Sequence, residues 1–337
     1  MKKTILVFLL IFNFGFSQED AWVYFSDKPN AASYLSNPLS MLTQRSLDRR
    51  VAQGIPLDNL DVPIAQTYID QVTAATGITV KAKSKWLNGL HIRGTQANIQ
   101  ALTNLSFVSS VKFANQALNS RTTNNNSENL VSKQMDVAVN FNYGTSANQI
   151  QMLNGHLLHQ QNYTGAGKII AVLDSGFQNV DTATPFQRLF TNNLILGGYN
   201  YVSQSTNVYT LHNHGTMVLS CMAGYVDGQL VGTAPDAQYY LFVTEDVASE
   251  NPVEESYWVE AAEEADRLGV DLITSSLGYF GYDNPSYSHT YSEMTGNQAF
   301  ASRGANIAFS KGIVVVASAG NSGATPDPYV GVPAEAT

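Results

Sequence analysis

Lys168-Ile-Ile-Ala-Val-Leu-Asp174-Ser-Gly176 decides the fold. Its unbroken apolar run reads as a strand, residues 168–173, buried on both faces. Outward from it the chain keeps one rhythm. Further strands are expected at 238–243, 271–275 and 313–317. Helices are expected at 214–223, at 254–268 and at 297–311, the second with Trp258, Ala261, Ala265 and Leu268 on one face. Alternating strands and helices indicate an α/β domain with a mostly parallel sheet. Functional groups in such sheets gather at the carboxyl ends of the strands.

Three polar clusters occupy such places. Asp174-Ser-Gly176 follows the first strand; the acid can point into a crevice, or cap a helix or shape a turn. His212-Asn-His214-Gly-Thr216 opens a helix; His214 can act as a general base, His212 and His214 can be two metal ligands, or the histidines can be structural. Ser318-Ala-Gly-Asn321-Ser-Gly323 follows the strand at 313–317; the Asn321 amide can donate to an oxyanion, or the segment is a plain turn.

The front half is organised differently. Residues 21–25 read as a strand. A helix is expected from Pro38 to Gly54 through Met41, Leu42, Leu47 and Val51, and another over 63–76. Strands at 78–87 and 90–93 would turn at Asn88-Gly89. Thr95 would cap a helix to Leu105, and 107–113 would form a last strand. Strand, helix, strand, strand, helix, strand is the split βαβ pattern of a small α+β domain. The Asn-rich run from Asn115 to Asn129 reads as a linker or processing region. At the amino end, Lys2 and Lys3 precede an apolar run of eight residues, and Gly15 and Ser17 suit a cut before Gln18. This is the pattern of a cleavable export signal, and the run is short of the roughly 20 residues a membrane span needs. A secreted or periplasmic location follows.

The 337 residues are 44% hydrophobic and 13% charged, enough to bury a sizeable core. The net charge of -9 argues against nucleic acid as a partner. That charge is uneven: residues 18–150 hold eleven Lys+Arg against nine Asp+Glu, and residues 151–337 hold five against eighteen. A single cysteine, Cys221, excludes an intramolecular disulfide; it reads as a small buried helix residue. Glu245, Asp246, Glu250, Glu254 and Glu255 read as a solvated acidic surface. No Gly-rich loop follows the first strand, which argues against a nucleotide-binding protein.

Taken together, the clusters resemble the subtilisin-like serine peptidases. Val172-Leu-Asp-Ser-Gly176 looks like the family's Asp motif, and His214-Gly-Thr-x-Val218 like its His motif. Gly232-Thr-Ala-Pro-Asp-Ala237 looks like a strand lead-in, Ser275-Ser-Leu-Gly278 like the substrate-binding strand, and Ala319-Gly-Asn-Ser-Gly323 like the oxyanion motif. The resemblance implies a subtilisin-like three-layer domain over 150–337, C-terminally incomplete. A ferredoxin-like prosegment over 18–114 would precede it and bind it, with a linker at 115–149 and a signal at 1–17. It implies that His214 is the base, Asp174 its orienting acid, and Asn321 the oxyanion donor. Ser275, Ser276, Leu277 and Gly278 would bind extended protein or peptide substrates. The family's serine motif does not follow Asn321, so the nucleophile is expected outside these residues and the chain as given is expected to be inactive. Calcium is implied by resemblance only. Two other readings stay open: a non-catalytic binding protein on this scaffold, and a metal-dependent hydrolase using His212 and His214.

Overall fold

The computed structural model describes residues 18–119, 141–210, 212–325 and 330–337. The expected export signal and most of the expected processing region lie outside the described residues. The front unit runs β1 (Gln18–Phe25), α1 (Ala31–Ser36), α2 (Gln44–Gln53), α3 (Gln66–Thr73), β2 (Ile78–Ser84), β3 (Gly89–Thr95), α4 (Gln96–Ala101) and β4 (Val108–Phe113). The strands form one antiparallel sheet in the order β2-β3-β1-β4. This is the sheet of a split βαβ domain, as expected from the sequence.

The differences have local causes. The helix expected from Pro38 starts only at Gln44, where the Thr43 side chain accepts the Ser46 N–H. Pro38–Ser40 is a single 3-10 turn, and Met41 and Leu42 pack with Val62 in a small separate core. The buried residues of α2 are Ser46, Arg49 and Arg50, whereas Val51 is exposed. The apolar periodicity was misleading because this helix is anchored by ion pairs. The expected two-residue hairpin at Asn88-Gly89 is longer: β2 ends at Ser84, and residues 85–88 form the turn with Asn88 at a φ of 49°.

The second unit runs α5 (Ala147–Met152), α6 (Gly155–His159), β5 (Ile169–Asp174), α7 (Gln187–Thr191), β6 (Ile195–Asn200), α8 (His214–Ala223), β7 (Tyr225–Val226), β8 (Leu230–Val231), β9 (Gln238–Val243), α9 (Val253–Leu268), β10 (Leu272–Ser275), α10 (Phe300–Ser310) and β11 (Val314–Ala317). Five strands form a parallel sheet in the order β11-β10-β5-β9-β6. Strand β5 is buried along its whole length at the centre. The edge strand β6 was missed from sequence, its Gly197-Gly198 pair masking the strand pattern. No helix among the described residues is long and apolar enough to cross a membrane.

Helix α9 joins the two units. It is buried on nearly every side, not on one face, because β2 packs on it opposite the parallel sheet. One apolar cluster accordingly includes Trp22, Trp86 and Leu87 of the front unit together with Trp258 of α9 and Ala171 and Leu173 of β5. Its acidic residues are used rather than solvated. Glu263 accepts from Ser84 Oγ (2.6 Å), Lys85 N–H (3.0 Å) and Trp86 N–H (2.9 Å). Asp266 pairs with Arg49 at 2.5 Å and Arg50 at 2.7 Å, and Arg50 also pairs with Asp61 at 2.8 Å. Lys311, after α10, reaches back to Asp58 and Asp61. Arg49 and Arg50 on Asp266 follow the charge excess of the two halves, whereas Lys311 on Asp58 and Asp61 runs the opposite way.

Candidate active site

The parallel register fixes which strand ends meet. Leu173 of β5 lies beside Ser275 of β10, which lies beside Ala317 of β11, and Asp174 lies beside Val243 of β9. Asp174, the segment after Ser275 and the segment leading to Asn321 therefore leave the sheet at one edge. Helix α8 begins over that edge. Two glycines permit the approach. A Cβ on Gly215 would sit 2.5 Å from Gly176 O and 2.9 Å from Asp174 Cβ. Gly176 has a φ of 150°, and a Cβ there would lie 2.7 Å from His212 O.

Asp174 and His214 are brought into contact: His214 Nδ1 lies 2.8 Å from Asp174 Oδ1. The same oxygen accepts the Ser175 N–H at 2.8 Å, and Ser175 Oγ lies 3.3 Å away. Asp174 is fully buried, and its Oδ2 has no hydrogen-bond partner among the described residues. Burial raises its carboxyl above the ordinary value, against the opposing effect of the bonds from His214 and Ser175. The His214 side chain is 38% exposed, so part of it stays open to solvent. An imidazole held by a buried carboxylate through one nitrogen, with its other side accessible, can exchange a proton with a bound molecule.

Asn321 is exposed at the start of the turn Ser322–Ala324. Ser275 is buried and its Oγ has no partner among the described residues, whereas Gly278 is exposed. Ser318 N–H donates to Ser275 O at 3.0 Å and Ser318 Oγ to Leu277 O at 3.1 Å, which holds the two segments together. His212 Nδ1 faces Ser175 Oγ at 3.2 Å. Among the described residues no group of three or more His, Cys, Asp or Glu could hold a metal ion.

Some expectations are corrected. Cys221 is exposed, not buried: the buried stripe of α8 is Gly215, Leu219 and Ala223, and Cys221 lies about half a turn away from Leu219. Glu254 and Glu255 are buried, not solvated. Glu254 accepts from Asp246 and Asn251 N–H, and Glu255 from Tyr282 Oη, Ala301 N–H and His289. Glu245, just beyond the end of β9 and expected on that same solvated surface, is half-buried. Burial, with Glu250 and Asp174 nearby, pushes its carboxyl up to about 7, His214 opposing. Its position two residues past β9 was the available signal.

Residues 165–337, just over half of the chain, match the family model described as the subtilase family, and residues 20–133 match a peptidase S8 propeptide domain of Bacteroidota. Subtilisin E of Bacillus subtilis (strain 168) is 31% identical over 189 residues, covering 55% of this chain and 43% of its own length. Subtilisin J of Geobacillus stearothermophilus is 30% identical with the same coverage. The chain thus spans less than half the length of these curated relatives. Fervidolysin from Fervidobacterium pennivorans, a keratinolytic enzyme related to subtilisin, has a similar fold at a TM-score of 0.53 and 16% identity, over 94% of this chain and 42% of that one. The epidermin leader peptide processing protease of Staphylococcus aureus, as an S393A mutant, gives 0.50 at 16% identity, over 91% and 61%. With the Asp174–His214 pair at the carboxyl edge of a parallel sheet and a propeptide-type unit packed on α9, the chain belongs to the subtilase family.

Proposed function

We propose that this chain carries the acid–base and oxyanion groups of an exported serine endopeptidase. The nucleophilic serine comes from residues that are not among these 337. The observation that carries the reading is the 2.8 Å contact between buried Asp174 and half-open His214 at the sheet edge shared with the Asn321 segment. His214 takes the proton of the attacking serine and returns it to the leaving amine. Asp174 holds the ring in the tautomer with its proton on Nδ1 and stabilises the imidazolium. Asn321 donates to the oxyanion of the tetrahedral intermediate. Ser276, Leu277 and Gly278, beyond the end of β10, pair with an extended protein or peptide substrate as an added strand, and Ser275, flanked by β5 and β11, anchors that segment. Residues 1–17 are the export signal, 18–114 the prosegment, 115–149 the processing region and 150–337 the start of the catalytic domain. The prosegment's buried contacts with α9 support its role as a bound inhibitor before processing.

One experiment tests this. The protein encoded by the complete gene and the 337-residue chain are both treated with a fluorophosphonate probe, and the labelled species is sequenced from its amino end. Labelling of the complete protein alone, with a mature start between residues 115 and 149, is the expected result. Labelling of a serine within residues 150–337, matched by peptidase activity, overturns the placement of the nucleophile. A mature start at Gln18 in active enzyme overturns the prosegment role, and an unlabelled complete protein favours a binding protein on this scaffold.

A further inference from the structure

Ser175 has one hydroxyl proton and two acceptors within reach. Its Oγ lies 3.3 Å from Asp174 Oδ1 and 3.2 Å from His212 Nδ1. The backbone N–H of His214 points at the same His212 nitrogen at 3.4 Å. The rings of His212 and His214 are 6.5 Å apart and inclined by 24°. Among the described residues, the donors to the Asp174 carboxylate converge on Oδ1, which holds His214.

A hydroxyl can donate once while it accepts, and an imidazole nitrogen changes from acceptor to donor when the ring gains a proton. With His212 neutral and its proton on Nε2, Nδ1 accepts from Ser175 Oγ and from His214 N–H. With His212 protonated, Nδ1–H must donate, and Ser175 Oγ is the acceptor in reach. Ser175 then turns its own proton to Asp174 Oδ1. We propose that His212 is a positioning residue for the Asp174–His214 pair, acting through Ser175, and that its protonation adds a further hydrogen bond to the carboxylate oxygen that holds the base. The added donor draws charge from the carboxylate, and a cation 6.5 Å from the His214 ring opposes a second one there. Both effects weaken His214 as a base at acid pH. Among the described residues, the charged groups facing His212 are Asp174, through Ser175, and His214, and Glu245 from beyond β9 interacts with both members of that pair.

The inference rests on reading Asp174 and His214 as the catalytic pair, so its test uses a signal that needs no nucleophile. The Nδ1 proton of His214, shared with Asp174, should give a low-field NMR line in the full chain. On acidification this line should move in two steps. In His212→Asn one step should vanish, because the amide oxygen can still accept the His214 N–H but cannot take up a proton. In Ser175→Ala the same step should be largely lost, although His212 still gains its charge. In the complete enzyme, the acid limb of kcat/KM should be shallower than the about tenfold per pH unit of a single ionisation, because the charge on His212 keeps His214 neutral to lower pH, and should return to that slope in His212→Asn. A single step in the unaltered chain overturns the inference. So does a step of unchanged size in Ser175→Ala, which would mean a field effect with no relay. Absence of the low-field line from the unaltered chain, or activity retained in His214→Ala, overturns the catalytic-pair reading itself.

Discussion

Two histidine–carboxylate pairs in this molecule differ in almost everything except chemistry. His91 and Asp20 sit between the front unit and α9, with His91 Nε2 3.0 Å from Asp20 Oδ1 and Nδ1 2.8 Å from Ser256 Oγ. Both ring nitrogens are used. Arg93 also pairs with Asp20 at 3.0 Å. Burial alone would raise the Asp20 carboxyl, but the bonds and charges of His91 and Arg93 outweigh it and hold it at about 2. At His214 and Asp174 no guanidinium completes the pair among the described residues. Burial prevails, and Asp174 is raised. The His91 side chain is fully buried, whereas 38% of the His214 side chain meets solvent. A fully partnered pair is a structural joint. A pair left one partner short and open on one side is equipped to move a proton.

The largest expected effect tests that contrast directly. In the complete enzyme His214→Ala should lower peptide hydrolysis by several orders of magnitude. His91→Ala should leave hydrolysis by the processed enzyme unchanged, since His91 belongs to the front unit. Comparable losses in both would break the comparison. The second effect falls on the joint itself. Asp266→Ala would leave Arg49 and Arg50 buried without their shared partner, and should destabilise the full chain by about 3–5 kcal/mol in urea unfolding. A change below 1 kcal/mol would mean that water reaches this network.

The third effect is a pH dependence with two limbs. Asp20 is held at about 2 against an ordinary 3.8, so its contribution is present above 3.8 and lost as pH falls toward 2. That contribution is about 2 kcal/mol. Glu254 and Glu260 behave oppositely. Burial pushes them up to about 8 and about 7 from 4.5, so the stability they contribute is present below 4.5 and lost as pH rises through those values. The urea midpoint of the full chain should therefore decline on both sides of a mildly acid optimum, and Asp20→Asn should flatten the acid side. A midpoint that rises steadily from pH 2 to 9 contradicts this. The smallest effect belongs to the half-exposed Arg267–Glu264 pair, 2.6 Å apart on α9. Arg267→Ala should shift stability by about 0.5 kcal/mol or less, and the shift should shrink further in high salt.

The sequence by itself determined the period-2 and period-3.6 patterns, and with them both fold classes. The apolar run 168–173, the helix at 254–268 and the strand at 313–317 were legible because hydrophobic periodicity is a local property. The Asp174 and His214 motifs were legible for a related reason: Gly176 and Gly215 are demanded by close backbone approach, and short motifs record such demands. Tertiary structure alone decided the rest. Helix α2 begins at Gln44 and buries Arg49 and Arg50 because their partner, Asp266, lies more than 200 residues further along the chain. The loop at 85–88 is longer than its Asn-Gly dipeptide suggests because Glu263 of α9 binds its backbone. Glu254 and Glu255 are buried because their hydrogen-bond donors come from segments folded over them. Ser175 is set between Asp174 and His212 only once α8 is laid across the end of β5. Charge pairing and side-chain hydrogen bonding act across space, and a linear pattern carries no distance between residues remote in sequence.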